Sequence, residues 1–270
     1  MPTVIANDGT LLYAETHGDG IPVIFSCAYC TTHENWRSQV EDLVAAGFQI
    51  ILWDYRGHGK SATPDDIAAY SMEKILDDLR CVLDWAANGR SAVLAGHSFG
   101  GYASLHFAVK HPDRVRALIL IGSGPGFKNP KAAKDWMAQV ERTAAFLEKK
   151  GFKDFVRKAA TTTIGRQPDL PAAQRAAEAI IAQDPFAVAR FGRQVAGLAP
   201  PVIDELSEIS CPALVMVGEE DTPYLRASEV IAAKLPRAQK IILPGAAHIP
   251  NIEATDSFNK LVIHFLNTLD

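Results

Sequence analysis

Apolar and polar positions along the chain follow two alternating periods. Short runs rich in Val, Ile and Leu predict buried strands at Val23–Ser26, Gln49–Trp53, Ser91–Ala95, Val115–Ile121, Ala213–Gly218 and Gln239–Leu243. Between them, apolar residues recur at helical spacing over Trp36–Ala46, Met72–Ala87, Phe99–His111, Leu225–Leu235 and Ser257–Leu269. Ser71 fits the N-cap of the helix that follows it, although Lys74 stands where a capping box would need Glu or Gln. Near the N-terminus, Asn7-Asp8-Gly9-Thr10 reads as a hairpin turn between strands Thr3–Ala6 and Leu11–Thr16. Strands that alternate with helices must pair in parallel through right-handed crossovers, so this pattern predicts an α/β fold. The hairpin adds an antiparallel edge, for eight strands in a mostly parallel sheet.

The rhythm breaks after Gly122. Gly124-Pro125-Gly126 is a turn, and no convincing strand follows between Lys128 and Leu206. That segment is Ala-rich with helical spacing, broken by Gly151, Gly165, Pro168, Pro171, Pro185 and Pro200-Pro201. It predicts several short helices inserted into the α/β unit.

Composition narrows the function classes. The chain has 270 residues, enough for a large hydrophobic core without disulfides or a structural metal. Its longest apolar runs, Ala117–Ile121 and Ala213–Val217, are far short of the roughly 20 residues that span a membrane. A net charge of −4 gives no basic field for nucleic acid or anionic lipid. The N-terminal residues lack the charged and apolar regions of a signal peptide, which makes a cytoplasmic protein the expectation. Cys27 and Cys30 form a C-x-x-C, but it follows a strand and enters a loop, and no second ligand pair is spaced for zinc. Neither metal nor cofactor is expected.

The candidate chemistry centres on Gly96-His97-Ser98-Phe99-Gly100-Gly101, between a predicted strand and a predicted helix. A G-x-S-x-G turn in that setting presents the serine on a strained elbow, and the residues two before and two after it must be small. The hydroxyl then stands at a helix N-terminus, where developing negative charge is favoured. Serine needs a base, and the base needs an orienting carboxylate. His248 follows strand Gln239–Leu243, and Glu219, Glu220 and Asp221 follow strand Ala213–Val217. Both loops leave the strand C-termini, the edge where such sheets place ligands. Of the three acids, Asp221 is preferred because it is furthest along its loop and precedes a turn at Thr222-Pro223. His17, His58 and His97 read as structural or solvent-facing.

These residues resemble the α/β-hydrolase fold family over nearly the whole chain. Asp54-Tyr55-Arg56-Gly57-His58-Gly59-Lys60-Ser61 is similar to the family's D-x-R-G-x-G-x-S loop, and Asn251-Ile252-Glu253 after His248 also fits. The resemblance implies a core of residues 1–123 and 206–270 and a helical cap, or lid, of residues 124–205. It also implies an oxyanion hole. Counting back from Trp36, Cys27-Ala28 replaces the usual His-Gly, which assigns the backbone N–H donors to Tyr29 and Phe99, with Ala28 or Cys30 as neighbours of Tyr29 in register. With serine at the elbow, the expected activity is cleavage of small carboxylic esters or lactones through an acyl-enzyme. C–C bond hydrolysis, perhydrolysis and a slow-turnover small-molecule receptor remain as alternatives with the same three residues. The stretch around His248 is similar to that of 3-oxoadipate enol-lactone hydrolases. The cap carries 13 basic against 9 acidic residues. That charge would suit an anionic substrate if it faced the pocket, and would be a solvated helix surface if it did not.

Overall fold

The computed structural model describes residues 3–269; Met1, Pro2 and Asp270, at the ends of the expected core ranges, lie outside the described residues. Eight strands form one sheet: β1 (Thr3–Ile5), β2 (Leu11–His17), β3 (Ile21–Ser26), β4 (Phe48–Trp53), β5 (Ala92–His97), β6 (Val115–Ile121), β7 (Ala213–Gly218) and β8 (Ala238–Leu243). Their order is β1-β2-β4-β3-β5-β6-β7-β8. β1 and β2 pair antiparallel, β2 meets β4 antiparallel, and every later pairing is parallel. Every residue of β5 and β7 is buried. Successive side chains of a strand point to opposite faces, so burial throughout requires cover on both sides of the sheet.

That cover comes from α1 (Arg37–Ala45), α2 (Met72–Ala87), α3 (Phe99–Lys110) and, late in the chain, helices α8 (Thr222–Lys234), α9 (Pro250–Glu253) and α10 (Thr255–Leu266). α1 packs with α10 and α2 with α3. Ser71 caps α2 through the N–H of Lys74 at 3.3 Å. α8 begins three residues earlier than its periodicity predicts. Thr222 and Pro223, which read as a turn, open it, because the first helical turn needs no N–H from proline.

Between β6 and β7 the chain is helical: α4 (Pro130–Lys158), α5 (Ala160–Thr163), α6 (Pro171–Ile181), α7 (Pro185–Phe191) and a π-helical turn, Gly192–Ala196. α4 consists of two helices that meet at a kink: Gly151 takes φ 70°, ψ 178°, which is not helical, and breaks the segment where its glycine predicts. Leu147, Phe152, Val156, Ile164 and Ile180 of this segment share a small apolar core with Cys30, Ile249 and Ile252. The helices are thereby seated on the loops that follow β3 and β8. No described helix is long and apolar enough to cross a membrane.

One buried ion pair ties the layers together. Arg56 bonds Asp78 of α2 through Nε at 2.7 Å and Nη2 at 2.6 Å, with both side chains almost fully buried. The same guanidinium reaches Asp8 of the hairpin at 2.8 Å. Removing one partner of such a pair strands the other charge, at a cost of about 3–5 kcal/mol. Arg56→Ala should therefore lower the unfolding free energy in urea by about that amount. A loss under about 1 kcal/mol, the range of a surface pair, would contradict the assignment.

Candidate active site

Ser98 is the single residue between β5 and α3, and it holds φ 52°, ψ −111°. That backbone is expensive for a residue with a side chain. Close packing enforces it: a Cβ on Gly96 would lie 2.3 Å from the Gly100 carbonyl carbon, and one on Gly100 would lie 2.2 Å from the Ser26 carbonyl oxygen. The Ser98 N–H donates to Ile121 O at 2.8 Å, and its carbonyl accepts from Tyr102 N–H at 3.1 Å. Among the described residues, the N–H of Phe99 has no protein acceptor, which leaves it free to point at a ligand.

The loop after β3 supplies a second free donor. Thr31 N–H closes a turn on Ala28 O at 3.2 Å, and the left-handed backbone falls on Cys30, with φ 71°, rather than on Ala28. Alanine is thus tolerated where the resemblance implies glycine. The Cys30 N–H donates to His58 Nε2 at 3.4 Å and so is occupied. Those of Ala28 and Tyr29 have no protein acceptor among the described residues. The Cys27 and Cys30 thiols are free and buried, and burial pushes both pKa values up, the opposite of what a reactive thiolate needs.

The loops after β7 and β8 bring an acid to an imidazole. Asp221 Oδ2 lies 2.8 Å from His248 Nδ1, with both residues largely buried. Asp221 occupies the N-cap position of α8, yet its carboxylate makes no capping bond and turns to the imidazole instead. Gly122 makes room for the pair, since a Cβ there would sit 3.1 Å from Asp221 Oδ2 and 3.2 Å from His248 Nδ1. The competing acids are engaged elsewhere. Glu219 accepts from Gly245 N–H at 3.0 Å, and Glu220 pairs with Arg166.

Two neighbours of His248 were not read as site residues. His97, buried, places its ring centroid 4.6 Å from that of His248. Burial holds the His97 pKa well below the usual histidine range, so it stays neutral there. Tyr224 stacks on the His248 imidazole, at 4.7 Å between centroids, and its phenol oxygen lies 3.5 Å from Ser98 Oγ. In this arrangement Ser98 Oγ is in contact with Tyr224 and has no hydrogen bond to His248 among the described residues.

Ser98, Phe99, Tyr29 and Tyr224 line a cavity of about 340 Å³ with Tyr102, Phe127, Trp136, Ala196, Pro223 and Ala227. Among the described residues, no charged side chain lines it. The Trp136 Nε1–H is committed to Ala196 O at 2.7 Å and the Tyr102 hydroxyl to Pro200 O at 2.7 Å. Cations of the helical segment are paired away from the cavity: Arg193 with Glu141 and Glu148, Lys128 with Asp204, Lys131 with Asp135. Among the described residues, no cation of the segment lines the cavity, so its positive balance gives no support to an anionic substrate. A more open cleft of about 470 Å³, bounded by Ser38, Pro171, Arg175 and Thr255, contains none of Ser98, Asp221 or His248.

A family model described as alpha/beta hydrolase fold matches residues 21–255. The chain belongs to the α/β-hydrolase fold family. Among solved structures, this α/β hydrolase resembles a thermophilic esterase from Thermogutta terrifontis, with TM-score 0.87 and 25% identity, covering 99% of this chain and 98% of that one. It also matches the enol-lactonase from Burkholderia xenovorans LB400 in fold, with TM-score 0.83 and 24% identity, covering 98% of this chain and 100% of that one. A pimeloyl-[acyl-carrier protein] methyl ester esterase from Yersinia enterocolitica is 28% identical over 232 residues, 83% of this chain and 85% of its own.

The family's D-x-R-G loop acts here as a clamp on the loop after β3. Asp54 accepts from the His33 N–H at 2.8 Å and bonds His33 Nδ1 at 2.7 Å. His33 Nε2 lies 3.2 Å from Glu34. Burial alone would push this imidazole down, but the bonds to Asp54 and Glu34 outweigh it and raise its pKa to about 9. An unfolded histidine titrates near 6.5. The resulting stability is whole below about pH 6.5 and is lost as pH rises through the folded value. Unfolding free energy should therefore fall between pH 6.5 and 9 by on the order of 3 kcal/mol. His33→Gln should flatten that decline, measured by urea denaturation across the range; an unchanged slope in the variant would contradict the assignment.

Proposed function

We propose that this α/β hydrolase cleaves small, uncharged carboxylic esters or lactones through an acyl-enzyme on Ser98. The observation that carries the reading is the buried Asp221–His248 pair beside an elbow serine, on the wall of a cavity without a charged side chain. Helices of residues 124–205 act in this reading as the cap that shapes the pocket. The partner is the small-molecule substrate, and the setting is cytoplasmic.

The geometry supports the following mechanism. Ser98 Oγ rotates from Tyr224 to His248 Nε2, which takes its proton as Oγ attacks the carbonyl carbon. Asp221, bonded to Nδ1, fixes the tautomer that leaves Nε2 free and stabilises the imidazolium that forms. Negative charge on the former carbonyl oxygen is received by the free N–H groups of Tyr29 and Phe99, each worth about 10²–10³ in rate. Cys30 drops out as an alternative donor because His58 holds its N–H. The imidazolium returns its proton to the leaving oxygen. Water then enters by the same steps and releases the acid.

Two outcomes test the reading. Ser98→Ala should lower kcat/KM on p-nitrophenyl butyrate by about 10⁶, in line with nucleophile deletions elsewhere. Retained turnover would remove the acyl-enzyme. A matched ester with a carboxylate on its acyl chain should react roughly 10²-fold more slowly than the neutral one, because the cavity offers no partner for the charge. A preference for the anionic ester would contradict the uncharged-substrate assignment. Steady turnover would also separate an esterase from a receptor, which would show a single slow burst.

A further inference from the structure

We propose that Tyr224 is a further catalytic residue, donating a hydrogen bond to the leaving-group oxygen as the tetrahedral intermediate collapses. The proposal rests on the acyl-enzyme reading of Ser98. Tyr224 belongs to the first turn of α8, and its N–H donates to the Asp221 carbonyl at 2.9 Å. The turn that delivers the acid therefore delivers the phenol as well. The ring lies on the His248 imidazole with only 26° between planes, and the hydroxyl reaches Ser98 Oγ at 3.5 Å.

Position fixes the role. The oxyanion faces the Phe99 N–H on one side of Ser98, and the leaving group departs toward the imidazole that protonates it. A phenol stacked on that imidazole stands on the leaving-group side. Its hydroxyl has no partner other than Ser98 Oγ among the described residues, whereas Trp136 and Tyr102 have committed their polar tips to backbone carbonyls. At 3.5 Å the contact is longer than a normal O–H···O bond, as catalytic contacts often are before substrate binds. Once Oγ is bonded to the acyl carbon, it no longer competes for the phenol proton. Burial and the nearby Asp221 charge raise the phenol's pKa, so it serves as a donor and not as a base.

The step balances without an added reagent. The bond from the acyl carbon to the leaving oxygen breaks, and a lone pair of the oxyanion re-forms the carbonyl. His248 Nε2 gives its proton to the leaving oxygen, which departs as the alcohol. Tyr224 keeps its own proton and lends only the hydrogen bond. That bond matters most when the leaving oxygen carries the most charge, as with an alkoxide, and least with p-nitrophenolate.

Tyr224→Phe keeps the ring on His248 and removes only the hydroxyl. Its kcat/KM should be measured on butyrate esters of p-nitrophenol, phenol and ethanol. We expect a loss of roughly ten- to hundredfold on the ethyl ester and less than about threefold on the p-nitrophenyl ester. An equal loss on all three esters would assign Tyr224 a merely structural role, and no loss on any would remove the role altogether; both overturn the proposal. Ser98→Ala tested on the same esters keeps the two readings apart. It should abolish turnover of all three whatever Tyr224 does, and turnover surviving there would refute the acyl-enzyme itself.

Discussion

The site depends on how closely α3 is pressed against the ends of the central strands. Ser98 must connect β5 to α3 alone, at φ 52°, ψ −111°, a conformation that costs about 1–3 kcal/mol. It persists because its surroundings leave no alternative. β5 is buried along its whole length, and the backbones at Gly96 and Gly100 approach too closely for any side chain. The same compression exposes the hydroxyl at a helix N-terminus and leaves the Phe99 N–H without a protein acceptor. An exposed serine hydroxyl, an unengaged N–H and the field of a helix N-terminus thus arise from one packing constraint.

Around this rigid centre, the other groups sit on loops that are fastened from outside the cavity. Asp54 clamps the loop after β3 through His33, and His58 holds the Cys30 N–H. Arg166, from the helical segment, binds Glu220, the Gly245 carbonyl and Glu253, and Glu253 in turn accepts from Ala247 N–H at 2.6 Å. One arginine therefore bridges the acid loop, the histidine loop and the segment above them. Such supports hold catalytic geometry to fractions of an ångström, which loops alone do poorly.

Legibility in the sequence followed the range of the interaction. The alternation of strands and helices is local patterning, and it predicted all eight strands and the helical interruption. Ser98 was legible because its glycines answer a local steric demand. Asp221 was separable from Glu219 and Glu220 only in part. In the fold it is the contact with His248, 27 residues along the chain, that sets Asp221 apart from its neighbours, and Thr222-Pro223 read as a turn instead of a first helical turn. Tyr224 was not legible, since it meets Ser98 across 126 residues and no spacing rule announces the contact. Whether the charge of residues 124–205 faces the pocket was not legible for a related reason. A count of cations does not reveal that Arg193, Lys128 and Lys131 are paired at the surface.

The central claim is that Ser98 is the one nucleophile that the fold activates. Treatment with a small neutral organophosphonate, followed by intact mass and peptide mapping, tests it most directly. The account predicts a single adduct, on the peptide containing Ser98, with loss of activity in proportion to labelling. An adduct on another serine, or full activity in the singly labelled protein, would contradict it.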